Sequence, residues 1–218
     1  MNHDDNALVR SYLALRRAVG MLGVALPIVL PLGVLAFGEA AVFQETISDY
    51  VGTVMRGVFV GVLFAIGIFL FFYVGYEPDG SQRRYEPTDN IAGNMACVFA
   101  LGVALFPTNS GSALVRTIHF LSAAALLLTL AYFSLRLFTK AGGSLTPQKR
   151  RRNVVYTTCG VIILVCVALI GLYGWLLRDT ALADVNPVFW LELIALWAFG
   201  WAWFVKGEGL RMLNDPAS

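Results

Sequence analysis

Charge is scarce in this chain. Only 14% of its 218 residues are Asp, Glu, Lys or Arg, against about 25% in a soluble domain. Histidine occurs twice, at His3 and His119, and cysteine three times, at Cys97, Cys159 and Cys166. The cysteines form no CxxC pair and share no ligand spacing, which argues against a disulfide framework or a zinc site. All three fall in apolar stretches and read as small packing residues. No metal and no cofactor is expected. The run Gln148–Asn153 holds Lys149, Arg150, Arg151 and Arg152; it reads as a topology anchor rather than a nucleic-acid patch.

What the chain has instead is apolar sequence. Hydrophobic residues make up 58% of it, and its mean hydropathy is +0.70. A membrane-crossing helix needs about 20 predominantly apolar residues. Six segments meet or approach that length: 19–37, 52–75, 90–107, 113–138, 154–177 and 187–205. They predict an all-α, six-span membrane bundle over residues 19–208. Residues 1–18 precede it as a cytoplasmic or interfacial segment, and residues 209–218 follow as a cytoplasmic tail. Pro27 and Pro31, four apart on the first segment, predict a kink.

Orientation follows from lysine and arginine, which accumulate in cytoplasmic loops. With the N-terminus inside, every basic residue except Arg56, Arg116 and Arg178 lies at the cytoplasmic ends or loops. An even number of spans then puts both termini inside, as in a multi-pass protein of a bacterial inner membrane. Tyr12, Tyr50, Tyr73, Tyr76, Trp175 and Trp190 fall near span ends, where an aromatic belt is expected.

Four ionisable residues, Arg56, Arg116, His119 and Glu192, lie inside apolar stretches. A charge in hydrocarbon costs roughly 2.5–3.5 kcal/mol on insertion scales, so such residues face a protein interior or a wet cavity. Counting inward from Asp49, Gly111 and Asn186 at about 1.5 Å per residue places all four roughly 8–12 Å below the outer surface. Asp49, Thr53 and Arg56 are spaced to share one helical face, as are Arg116 and His119. Ser48, Tyr50, Asn109 and Trp190 complete the rim.

This pattern predicts an outward-facing pocket for an anionic lipid or small anionic ligand. Arg56 and Arg116 would contact the anion, because guanidinium forks match phosphate and carboxylate. His119, Glu192 and Asp49 would orient it or handle protons, beside Thr53 and Trp190. Two arginines at the same level disfavour a divalent metal. A competing reading pairs Glu192 with Arg116 or Arg56 as interhelical glue. A third is a metal-independent lipid hydrolase or transferase using His119, with Ser48 or Thr53 as nucleophile and Asp49 orienting the imidazole. A fourth is an accessory subunit of a membrane complex, or a homo-oligomer. Asp89 and Asn90 read as N-cap residues of the third span, and Lys206 and Glu208 as interfacial.

The stretches SDYVGTVMRGVFVGVLFAIGIFL (Ser48–Leu70), DNIAGNMACVFALGVALFPT (Asp89–Thr108) and RTIHFLSAAALLLTLAYFSLRLF (Arg116–Phe138) resemble a bacterial family of multi-span membrane proteins of unknown function. QKRRRNVVY (Gln148–Tyr156) and PVFWLELIALWAFGWAWFVKGE (Pro187–Glu208) extend the resemblance. That family is distantly similar to the Frag/DRAM/Sfk membrane proteins and implies a multi-span fold without an activity. A serine-led polar stretch also resembles part of the CREST membrane hydrolases. Their zinc site requires three histidines, which this chain lacks.

Overall fold

A computed structural model describes residues 3–75, 87–140 and 146–214. Tyr76, the Arg83–Arg84 pair, the Gly142–Gly143 pair and residues 215–218 of the tail lie outside the described residues. The described chain is all-α, with six α-helices: α1 (His3–Ala36), α2 (Arg56–Phe71), α3 (Asp89–Leu105), α4 (Ala113–Tyr132), α5 (Pro147–Leu172) and α6 (Pro187–Lys206). π turns prolong α4 to Leu137 and α5 to Leu177. Four helices are long and apolar enough to cross a membrane: Ala7–Ala36, Ala113–Leu137, Pro147–Leu177 and Pro187–Lys206. With 16 and 17 residues, α2 and α3 are apolar but shorter.

Each helix packs against the next, and α6 returns to α1, so the six close into a ring. The closing contact brings backbone close to backbone. A Cβ on Gly20 would lie 2.6 Å from the Gly200 carbonyl oxygen and 2.7 Å from the Phe204 amide nitrogen; a Cβ on Gly200 would lie 2.5 Å from the Gly20 carbonyl. Hydrophobic transfer does not drive helices together in lipid, so close backbone approach at small residues supplies much of the packing. The same logic shapes α3, which buries Ala92, Gly93, Ala96, Ala100 and Ala104.

Residues 3–18 form the first turns of α1, continuous with the first apolar segment, and the helix runs unbroken through Pro27 and Pro31. Pro27 has no N–H to donate to the Gly23 carbonyl. At that level the Trp197 indole of α6 donates to the Val24 carbonyl at 3.1 Å. A neighbouring helix thus hydrogen-bonds the backbone at the proline turn.

Caps explain two helix starts. The Thr88 hydroxyl accepts from the Ile91 N–H at 3.3 Å, and the Thr146 hydroxyl from the Lys149 N–H at 3.0 Å. Thr88 therefore takes the cap expected of Asp89 and Asn90, and Asp89 becomes a buried first-turn residue. Tyr50 and Tyr73 also depart from the aromatic-belt expectation, being fully buried, whereas Trp175 is 81% exposed.

Because backbone, not a flexible side chain, opposes Gly200, Gly200→Val should destabilise by about 3 kcal/mol. Gly61→Ala, in open space on α2, should instead be neutral or stabilising by up to about 1 kcal/mol. Thermal unfolding of both variants in the same detergent tests the contrast; equal melting temperatures would contradict it.

Candidate functional site

At the end of the bundle where α1 finishes and α2 starts, the segment between them folds inward over the helices. Its 3₁₀ turn, Ser48–Gly52, buries Ser48, Tyr50 and Val51. The Tyr50 phenol donates to the Val42 carbonyl at 2.7 Å, and burial raises its pKa above the usual value. The first turns of α6 fasten this segment. The Phe189 N–H donates to the Glu45 carbonyl at 3.0 Å, the Phe189 ring meets Phe43 at 5.5 Å, and Glu192 Oε2 accepts the Ile47 N–H at 2.7 Å. The turn between α3 and α4 also reaches this segment, with the Asn109 amide 3.3 Å from where a Gly52 Cβ would lie.

Asp49 stands in electrostatic range of both His119 and Glu192. One of its carboxylate oxygens accepts from the Thr46 hydroxyl at 2.8 Å, and its N–H donates to the Thr46 oxygen at 3.1 Å. His119 is 1% exposed, with Nδ1 2.7 Å from the Phe106 carbonyl. A carbonyl only accepts, so Nδ1 carries a proton, and in the neutral tautomer this leaves Nε2 as the acceptor. Phe106 follows the last turn of α3, so this bond also satisfies a helix-terminal carbonyl.

The arginines are arranged differently. Arg116 donates to the Ser110 carbonyl in the preceding turn. Arg56 is exposed and opens α2. Among the described residues neither forms an ion pair with Asp49 or Glu192, whose acceptors meet a loop hydroxyl and a loop amide. The Thr53 hydroxyl donates to the Tyr50 carbonyl at 2.9 Å, and the half-exposed Trp190 indole donates to the Val185 carbonyl at 3.1 Å. No hydrogen bond among the described residues joins Ser48 to His119.

The structure thus gathers Asp49, His119 and Glu192 around the inward-folded segment but does not pair the arginines with the acids. The shared face expected for Asp49, Thr53 and Arg56 does not form. The 3₁₀ turn ends at Gly52, Thr53 is extended (φ −112°, ψ 175°), and α2 begins only at Arg56. A periodicity of 3.6 has no meaning across such a break. Arg56 therefore lies at a helix end rather than two turns inside one.

A second polar group lies apart from the expected site. Asp89 and Lys206, expected as a cap and an interfacial residue, are 2% and 7% exposed at the opposite end of the bundle. The sequence signal beside them is aromatic density: Tyr73, Phe133, Phe138 and Trp203.

Glu192 has a definable structural contribution. Glu192→Ala should leave the Ile47 N–H unsatisfied and cost about 1–3 kcal/mol, whereas Glu192→Gln keeps an acceptor and should cost less. Melting temperatures and proteolysis within residues 38–55 measure this; a glutamine variant as labile as the alanine variant would contradict it. Comparisons of the chain with protein-family models, with known proteins and with solved structures find no match.

Proposed function

We propose that this chain is a six-span protein of a bacterial inner membrane, with both termini in the cytoplasm, whose outer end recognises an anionic lipid headgroup or small anionic ligand. The membrane part is supported by four helices long and apolar enough to span, with α2 and α3 filling the same closed ring. At 16 residues α2 is about 24 Å long; the inward-folded segment before it supplies the remaining depth. The family resemblance belongs to this proposal and adds no activity to it.

One observation carries the ligand reading. The carboxylates of Asp49 and Glu192 are bonded to a loop hydroxyl and a loop amide rather than to guanidinium groups. The charges of Arg56 and Arg116 therefore remain to meet an anion, Arg56 from an exposed helix start and Arg116 from a half-buried position held by Ser110. His119, with Nε2 as an acceptor and Asp49 nearby, is suited to orienting a ligand hydroxyl or exchanging a proton with it.

Two measurements test this. Single-cysteine variants Ser110→Cys and Asp184→Cys should react with a membrane-impermeant maleimide in intact spheroplasts, while Gln148→Cys should react only after permeabilisation. The reverse pattern would invert the topology. The purified protein should also carry an anionic lipid or metabolite, detected by native mass spectrometry, that Arg56→Gln/Arg116→Gln reduces by about tenfold or more. Equal retention in that folded variant would remove the arginines from any ligand contact.

A further inference from the structure

The segment between α1 and α2 is bonded more to itself than to the bundle. Its two ends meet at a neck, where the Glu39 carboxylate accepts the Val54 N–H at 2.9 Å. Between them the Tyr50 phenol reaches back to the Val42 carbonyl, the Gln44 amide donates to the Ala41 carbonyl at 2.6 Å, and the Thr46 hydroxyl donates to Asp49. A surface loop whose ends lie close together and whose own side chains pack it is an Ω-loop. Bonds internal to the loop survive when the loop is displaced as a whole.

The backbone beside the neck is able to turn. Gly38 has φ +77°, with open space where a Cβ would stand, a conformation glycine adopts at no steric cost. At the other end Thr53 is extended between the 3₁₀ turn and α2. Hinges are a few residues of this kind, in loops or at element ends.

What holds the loop down comes from the first turns of α6. The Phe189 N–H binds the Glu45 carbonyl, and Glu192 accepts the Ile47 N–H. The Phe43 ring lies 5.5 Å from Phe189 and 5.6 Å from Trp190. Phe43 and Trp190 are each about half exposed, so this part of the latch stands at the surface.

Two polar groups at the end that the loop covers lack a partner. His119 is 1% exposed, and beyond the bond from Nδ1 to the Phe106 carbonyl it makes no hydrogen bond among the described residues, so Nε2 is unused. The Thr108 hydroxyl is buried and has no partner there either. It belongs to the turn whose Asn109 meets the loop at Gly52. Asp49, on the loop itself, lies in electrostatic range of His119. Burying a polar group without a hydrogen bond costs free energy, and a ligand hydroxyl entering at this end would supply the missing bond.

We propose that residues 39–54 form a lid that gates His119. The loop swings as a unit about Gly38 and Thr53 when its latch on α6 releases, and a hydroxyl group of the incoming ligand then reaches Nε2. What enters rests on the outer-end ligand reading above; the motion does not. Glu192 is thereby a positioning residue that holds the lid, distinct from the arginines that meet an anion.

The test uses the full chain in mild detergent, with its three cysteines replaced by alanine. Carbethoxylation of His119 by diethylpyrocarbonate is followed by peptide mass spectrometry. In this parent the closed lid should make the reaction slow. Phe43→Ala and Glu192→Ala, which weaken the latch from its two sides, should each speed it about tenfold. Phe43→Cys/Trp190→Cys, joined by a short reducible bis-methanethiosulfonate, should react at least about tenfold more slowly than the same variant unjoined. Reduction should restore the rate.

Equal rates with the lid joined and unjoined overturn the proposal. So does a Phe43→Ala variant that reacts like the parent; its side chain is half exposed, so this arm decides even if Glu192→Ala does not fold. Phosphatidylglycerol, whose headgroup carries hydroxyls, should shield His119 about tenfold more than phosphatidic acid, which offers phosphate alone. Equal shielding by the two lipids would overturn the hydroxyl contact. Without added lipid, Arg56→Gln/Arg116→Gln should leave the carbethoxylation rate unchanged, so the gate and the anion reading fail separately.

Discussion

The contact between Gly20 and Gly200 closes the ring of helices, and both ends of the bundle depend on it. α1 and α6 run antiparallel, with Leu13 opposite Gly207, Gly20 opposite Gly200 and Val24 opposite Trp197. Any side chain at the glycine crossing would push backbone from backbone. Separation there would carry Arg16 away from Lys206 at one end. At the other it would shift Phe189 and Glu192 away from the segment they hold. In a membrane, where lipid is as apolar as the helices, shape at a crossing does much of what hydrophobic burial does in water.

At the two ends, polar groups solve different problems. At one end Glu192, His119 and Arg116 each meet a main-chain group: the Ile47 N–H, the Phe106 carbonyl and the Ser110 carbonyl. These are the orphan amides and carbonyls of loops and helix ends, which are costly to leave bare in apolar surroundings. Polar side chains there knit irregular backbone to regular helix. At the other end, Arg16 and Lys206 lie against aromatic rings, while Lys149 and Arg152 donate to the Phe138 and Leu213 carbonyls.

The helices were legible in the sequence because a long apolar run has few other uses. The sixth segment, 187–205, becomes Pro187–Lys206, and the fourth, 113–138, becomes Ala113–Leu137. The third, 90–107, becomes Asp89–Leu105. The site was less legible. Asp49, Thr53 and Arg56 have helical spacing, but the 3₁₀ turn before α2 removes the common axis that such spacing assumes. Asp89 looked like a cap because Asp and Asn favour that position, yet Thr88 precedes it and caps equally well. Lys206 looked interfacial because it ends an apolar segment; aromatic residues far away in the chain cover it.

The order and length of apolar segments, the placement of basic residues between them and the presence of a few ionisable groups inside them are properties of the chain read in one dimension. They sufficed to determine an all-α chain with six helical segments and where along it polar groups would be expensive. Which of those groups meet was decided only by the tertiary structure. A helix's rotation about its own axis is set by packing at residues such as Gly20 and Gly200, and that rotation points Glu192 at a loop amide and Lys206 at the Phe138 ring.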